Sequence, residues 1–401
     1  MTNKLFDLDS YVSSCEAKIL SCEPVKKNGY EGFAVLLDST CFFPEGGGQP
    51  SDIGTMSCGG ETANVLYAYE ENGDIFHICD KAFPVGETAF AELNWDSRFA
   101  NMQIHCGEHI LSGTILKMMG LHNVGFHVGH EFNTVDMDGE ITVEDARRIE
   151  AKVNALICEN HPVHVSYPDA ETLKQIPLRK KPEVDHLRVV DVEGCDLCGC
   201  CGTHVAFTGE IGILKIIDVQ RYKGGTRLSF LTGAAALGDC ADKAQELKQI
   251  CAALSCKPVD AFDNVEKLKA ELAQKKQELS AKNKQLFALM AKSLEQSAET
   301  FGEDKLFFVR DDSLGSDDLK AFALQIALCE KAVGALFSQQ NGMISYNLCC
   351  SKDASVDLRA LNKHMNQTLN GKGGGNKELC SGRLPACAEE DIKNAVKSFI
   401  Q

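Results

Sequence analysis

Apolar and polar positions alternate in short runs through roughly the first 90 residues. "FAVLLDST" is followed by Pro44 and Gly46–Gly47–Gly48, then by "ANVLYAYEENGDIFHIC" around a Glu-Asn-Gly turn. A period of two broken by glycine and proline predicts short strands, and so a small, barrel-like β-rich domain over residues 1–92. From Ser97 the pattern lengthens to a helical one that runs through Met119, with Gly120 as its stop. "EFNTVDMDGEI" predicts a hairpin. "TVEDARRIEAKVNALICEN" predicts an amphipathic helix with Thr142 as N-cap and Asp145 in an acidic first turn. Strands over "VHVSYP", "HLRVVDV", "GILKIIDVQRY" and "TRLSFLTG" complete a second, α+β domain spanning residues 93–239.

The texture changes near residue 240. In "DNVEKLKAELAQKKQELSAKNKQLFALMAK", Leu272, Leu279 and Leu286 recur every seven residues, with Val265, Leu268 and Leu289 on the same face. Lys275 and Lys282 occupy the other seam position, so residues 240–300 read as a helical arm or helical hairpin packed on something else, not as a long autonomous coiled coil. Residues 301–401 follow as a compact α/β domain, with strands over "KLFFVRD", "AVGALFSQ" and "GMISYNLCC", a helix near Leu358–Leu369 and a "GKGGGNKELCSGRL" segment. The fold class is α+β throughout.

Composition narrows the function. The net charge of −16 excludes a generally basic nucleic-acid coat while leaving room for a local basic patch. No run approaches the roughly 20 apolar residues of a membrane span, and "MTNKLFDLDSYVSS" has no signal-peptide pattern. Nineteen cysteines, an odd number in a long chain, point to reduced thiols in the cytoplasm, some of them metal ligands and most of them small buried hydrophobes.

"HCGEHILSG" places His105 and His109 four residues apart on one helix face, near enough to share an ion. Taken alone, the pair reads equally as packing. "CDLCGCCGTHVAFTGEIG" repeats the separation with Cys200 and His204. Three imidazoles and one thiolate form a zinc set of borderline softness. Cys195 and Cys198 could open a zinc knuckle, but no second Cys-x-x-Cys pair answers them, so with Cys201 they read as packing or supporting residues.

"RFANMQIHCGEHILSG" with "CCGTHVAFTGEIG" resembles the paired zinc motifs of the alanyl-tRNA synthetase editing domain, and is more similar still to the free-standing AlaX editing proteins. "DSTCFFPEGGGQPSDIGTM" and "RYKGGTRLSFLTG" resemble that family's first and last signatures, so the likeness runs from about Leu5 to Gly233. The arm and "GKGGG" segment are similar to the C-terminal domain of alanyl-tRNA synthetases, the layout of the long AlaX proteins. The resemblance implies a zinc-dependent deacylase that removes serine or glycine from mischarged alanine-specific tRNA in the cytoplasm. Such an enzyme is needed because an alanine pocket rejects one added hydroxyl poorly and cannot refuse a smaller residue. The chain starts at the editing signature with no ATP-binding domain ahead of it, so tRNA charging is not expected.

The resemblance also implies roles. Thr40 is the candidate partner for serine's hydroxyl, read against a β-branched strand-end residue. Gly46, Gly47 and Gly48 suit a pocket wall that offers backbone amides, with Gln49 as a substrate contact, or else a plain turn. Lys223 and Arg227 flank a glycine pair in a candidate phosphate-binding hairpin, which Arg179, Lys180, Lys181 and Arg188 could extend. Phe42 or Phe43 is a candidate for stacking on the CCA end, although most phenylalanines are core. Glu108 is a candidate general base, read against a solvated or supporting role. The C-terminal region, with Gly371–Gly375 between Lys372 and Lys377, is expected to bind the tRNA body or form a homodimer.

Two residues and one segment depart from the synthetase pattern. Glu108 stands where a threonine is common, Gly125 where a glutamine is usual, and "AAALGDC" after Gly233 lacks an early basic residue. A non-catalytic tRNA-binding or adaptor protein with a structural zinc is the rival reading, since four protein ligands usually close a zinc site. A DHH-type phosphoesterase is set aside because no Asp-His-His domain is found in the chain.

Overall fold

The computed structural model describes residues 1–129, 131–180 and 187–400. They form two compact units, Met1–Gln249 and Ile250–Gln401.

The first unit opens with six strands, Ser14–Lys27, Tyr30–Leu37, Gly54–Cys58, Glu61–Glu71, Asp74–Cys79 and Thr88–Leu93. Each bonds to two neighbours, so the sheet closes on itself as a ring and leaves none of the six as an edge. Alternate residues such as Ile19, Val35, Leu37, Met56, Val65, Ile75 and Ala91 fill one buried cluster, as the two-residue pleat requires. Phe42 and Phe43 belong to that core, which corrects their reading as stacking platforms. Ser14–Lys27 is a 14-residue strand, longer than the short strands expected, and its register shifts between Ile19 and Ser21.

Helix Trp95–Met119 follows, capped by the Asn94 side chain on Ser97 N–H and ended by Gly120 at φ 72°. Its middle, His105 to Ile115, is buried all round, which is what a helix in the heart of a unit shows in place of a single apolar stripe. On it lies a four-stranded sheet in the order Leu214–Tyr222, Gly225–Thr232, Asn133–Met137, Asn123–His127. The hairpin expected within "EFNTVDMDGEI" is a single strand, Asn133–Met137, whose partners are Asn123–His127 and Gly225–Thr232. The chain after it turns straight into the Thr142 capping box of helix Val143–Glu159. A three-stranded sheet of Val163–Ser166, Val189–Val192 and Asp196–Gly199 carries the second half of the site.

Arg98 ties ring to helix. Its guanidinium pairs with Asp52 and donates to the carbonyls of Ser10 (2.8 Å) and Cys41 (2.7 Å). Both members of this ion pair are buried, so removing one partner would strand the other charge.

Helix Gly233–Leu254 begins directly after the last strand of the first unit. In the second unit, helix Ala261–Glu295 seats Phe287, Met290, Ala291 and Leu294 with the Ser316–Ile326 helix, Phe287 stacking on Phe322 at 5.0 Å. The heptad residues are not the ones that pack: Leu272, Leu279 and Leu286 are all more than half exposed. A six-stranded sheet completes the unit. Its "GKGGG" segment is a short exposed edge strand, Lys372–Gly375, paired with Leu379–Pro385. All nineteen cysteines are free, and among the described residues no helix is long and apolar enough to cross a membrane.

Candidate metal centre

His105 and His109 project from adjacent turns of the Trp95–Met119 helix. Cys200 and His204 lie in the irregular segment after strand Asp196–Gly199. Their ligand atoms all fall within 4.8 Å of one another. Cys200 Sγ is 3.2 Å from His105 Nε2 and 4.0 Å from His204 Nε2. Tetrahedral bonds of ~2.0–2.3 Å give ligand–ligand edges of about 3.3–3.7 Å, which these separations bracket.

What surrounds the imidazoles decides which nitrogen faces inward. His105 Nδ1–H donates to Gln49 Oε1 at 2.9 Å, His109 Nδ1–H to Asp196 Oδ2 at 2.8 Å, and His204 Nδ1–H to the Gly202 carbonyl at 3.0 Å. Every acceptor is an oxygen, so each ring is fixed with Nδ1 protonated and Nε2 turned toward the others. Three convergent Nε2 atoms beside a thiol have no packing rationale, because buried polar atoms normally find partners that satisfy them individually.

The charges agree. Burial alone would raise the Cys200 thiol, but the imidazoles of His105 and His109 outweigh it and hold it well below the usual thiol value. Burial lowers His109, while Cys200 and Asp196 more than reverse it and raise it well above an ordinary histidine. Burial is the leading effect on His204, bringing it down to about 3. A thiolate and a proton-bearing imidazole in contact form a site from which an incoming metal ion would displace that proton to solvent.

The loop geometry is equally restrictive. At Gly202 a Cβ atom would stand 2.2 Å from His105 Cε1 and 2.9 Å from Gln49 Oε1, so only glycine lets the two motifs meet. Gly48 has φ 85°, and a Cβ there would come within 2.8 Å of the Phe126 ring. Arg188 holds the ligand loop by donating to the carbonyls of Cys200 (3.0 Å) and Gly202 (2.8 Å).

Several residues fall elsewhere than the sequence suggested. Gln49 is fully buried: Oε1 also accepts from Thr203 N–H (3.1 Å), and Nε2 donates to the Thr203 hydroxyl (2.9 Å). Its oxygen therefore supports His105 and Thr203, while the side chain borders the cavity that Gly46, Gly47 and Gly48 line. Thr40 is fully buried inside the ring, with its hydroxyl 2.8 Å from His77 Nε2 and accepting from Phe42 N–H at 3.0 Å. Glu108 is buried, and its Oε1 accepts from the Ser112 hydroxyl and the Asn123 amide, both at 2.5 Å. Arg179 and Arg188 are buried, the first on Asp196 and the second on the ligand loop, which removes both from the expected basic patch. Lys181 lies outside the described residues.

Gly46, Gly47 and Gly48 line a cavity of about 430 Å³ together with Glu45, Tyr67 and His127. Lys223, at φ 47°, forms the exposed tip of the hairpin between Leu214–Tyr222 and Gly225–Thr232. Arg227 is taken by Asp136 (2.7 and 2.8 Å) and lies 3.7 Å over the Tyr222 ring. Sequence reasoning missed Asp196, Gly202 and Thr203, although all three lie within the stretch "DLCGCCGTH" that carries the second ligand pair.

Two family models match the chain. One is the threonyl and alanyl tRNA synthetase second additional domain, over residues 187–229, and the other the class II (A) tRNA synthetases, over residues 8–97. The alanyl-tRNA editing protein AlaX-L of Pyrococcus horikoshii is 27% identical over 414 residues, covering 100% of this chain and 98% of that protein. The alanyl-tRNA editing protein Aarsd1 of Mus musculus is 31% identical, covering 65% of this chain and 66% of its own. The alanine–tRNA ligase of Korarchaeum cryptofilum is 30% identical over all of this chain, but the chain spans only 45% of that longer protein.

Proposed function

We propose that the chain, similar over its whole length to the editing protein AlaX-L, is an alanyl-tRNA editing protein of the long AlaX type that hydrolyses the ester joining serine or glycine to alanine-specific tRNA. The reaction is placed at a zinc site made by His105, His109, Cys200 and His204. The observation that carries the reading is the convergence of three imidazole Nε2 atoms and one thiol, with every Nδ1–H committed to an oxygen acceptor. That donor set fits zinc in ligand type and spacing. Zinc bound there would polarise the ester carbonyl or a water molecule as a Lewis acid.

The chain's own residues do the rest. Gln49 and the Gly202 carbonyl orient two of the rings. The Gly46–Gly48 wall, in which the Gly46 N–H is already bonded to the Gln49 carbonyl, receives the aminoacyl end in the cavity it lines. Lys223 at its hairpin tip steers tRNA phosphate without reading sequence. Gly371–Gly375 and the helical arm contribute contacts to the tRNA body or a homodimer.

Purified protein should release serine or glycine from mischarged tRNA and leave correctly charged alanyl-tRNA intact. It should bind close to one zinc per chain, lost in a Cys200→Ala/His204→Ala variant. The rival reading, an adaptor with structural zinc, draws on the four buried or partly buried protein donors. Zinc bound with no deacylation of either substrate would favour it. Stoichiometric zinc surviving in the double variant would remove the site from these residues.

A further inference from the structure

We propose that Asp196 and Arg179 form a positioning pair that sets the metal affinity of His109. This inference rests on the zinc reading above. Asp196 is buried, and its Oδ2 accepts the His109 Nδ1–H at 2.8 Å. Arg179 grips the same carboxylate with two prongs, Nε to Oδ1 at 2.7 Å and Nη2 to Oδ2 at 2.9 Å. The same Nη2 lies 3.9 Å from Glu108 Oε1, itself held by Ser112 and Asn123.

The chemistry of the neighbourhood favours this assignment over a second metal ion. His109, Asp196 and Cys198 also have the donor types of a metal site. But the guanidinium already covers both Asp196 oxygens and supplies the positive charge that a cation would bring. With its charge balanced and its plane fixed by the fork, Asp196 has one task left, which is to hold the His109 ring and make Nε2 a stronger donor. The network therefore runs in series. Glu108 flanks Arg179, Arg179 fixes Asp196, and Asp196 aims His109. It also joins three separate pieces of chain: the Trp95–Met119 helix, the segment before Lys180 and the Asp196–Gly199 strand.

The test is zinc affinity of the full chain, measured by competition with a chromogenic chelator for wild type, Asp196→Asn, Arg179→Met and the double variant. Cobalt spectra report the geometry of the substituted site, and thermal melts report folding. Asp196→Asn should weaken zinc binding by about 10- to 100-fold, the usual cost of losing a ligand-orienting carboxylate. Arg179→Met should weaken it by a smaller factor. The double variant should lose no more than Asp196→Asn alone, because residues acting in series are not additive. Arg179→Lys, which keeps the charge but not the fork, should recover only part of the loss. Wild-type zinc affinity and an unchanged cobalt spectrum in folded Asp196→Asn would overturn the proposal while leaving the zinc reading intact. So would additive losses in the double variant. Absence of zinc binding by the wild type would overturn both.

Discussion

Replacing Gln49 distinguishes a group that supports a ligand from one that touches substrate. In Gln49→Met the shape is nearly kept, but two buried donors lose their acceptor: His105 Nδ1–H at 2.9 Å and Thr203 N–H at 3.1 Å. Each orphaned buried donor costs about 1–3 kcal/mol, so the loss of stability should be about 2–6 kcal/mol. That is a large part of the ~5–15 kcal/mol that holds a domain together. Freed from its acceptor, the His105 ring should also bind zinc about 10- to 100-fold more weakly. Gln49→Glu is the control: it keeps an oxygen for both donors, and the Thr203 hydroxyl can rotate to donate to the other carboxylate oxygen. Zinc affinity by chelator competition and thermal unfolding with and without zinc are the measurements. Gln49→Met should fail in both and Gln49→Glu in neither. If Gln49→Met instead held zinc at wild-type affinity and lost only deacylation, Gln49 would be a substrate contact and the reasoning from its hydrogen bonds would be wrong.

Glu108→Gln should keep zinc and deacylate within a few-fold of wild type, because the carboxylate is committed to Ser112 and Asn123; a loss of ~10²-fold or more at full zinc occupancy would restore it as general base. Thr40→Val should slow seryl and glycyl substrates alike and lower the melting temperature, since its hydroxyl already serves His77 and Phe42; selective loss on serine would refute this. Burial holds His77 neutral, with its pKa lowered to about 4 from an ordinary 6.5. Below pH 6.5 the unfolded chain therefore takes up a proton that the folded ring refuses, and stability falls as pH drops toward 4, by about 3 kcal/mol in all. Urea unfolding of wild type against His77→Gln isolates this from the metal ligands; parallel pH profiles would rule it out. Lys223→Ala should lower tRNA affinity for every sequence and reduce the slope of log affinity against log salt by about one.

The parts legible in the sequence are those whose causes are local. The Thr142 capping box and the Gly120 stop each depend on residues within four positions of one another. The two candidate ligand pairs were visible for the same reason, since His105 and His109 at i and i+4 share a helix face and Cys200 and His204 repeat the spacing. The supporting residues were not legible. Gln49 meets Thr203 across 154 positions, and Asp196 meets His109 across 87. No pattern of neighbours announces a partner at that distance. The heptad stripe failed differently. Its period is real, but in the chain taken singly the Phe287 face packs, and the leucines face solvent.

The arginines among the candidate phosphate contacts carry a physical lesson. Arg179, Arg188 and Arg227 all read as phosphate contacts, and all three hold protein oxygens: Asp196, the Cys200–Gly202 carbonyls and Asp136. A guanidinium is a planar fork that is weakly hydrated, so it is the cation a fold can bury against carboxylates and carbonyls. A lysine ammonium is strongly hydrated and resists burial, so it stays at the surface, as Lys180 and Lys223 do. In the proposed function, then, contact with tRNA phosphate is assigned to exposed lysines such as Lys223 at its hairpin tip. Such pairing would be loose, exposed and dependent on salt, whereas Arg179 and Arg188 brace the candidate metal centre through Asp196 and the Cys200–Gly202 carbonyls.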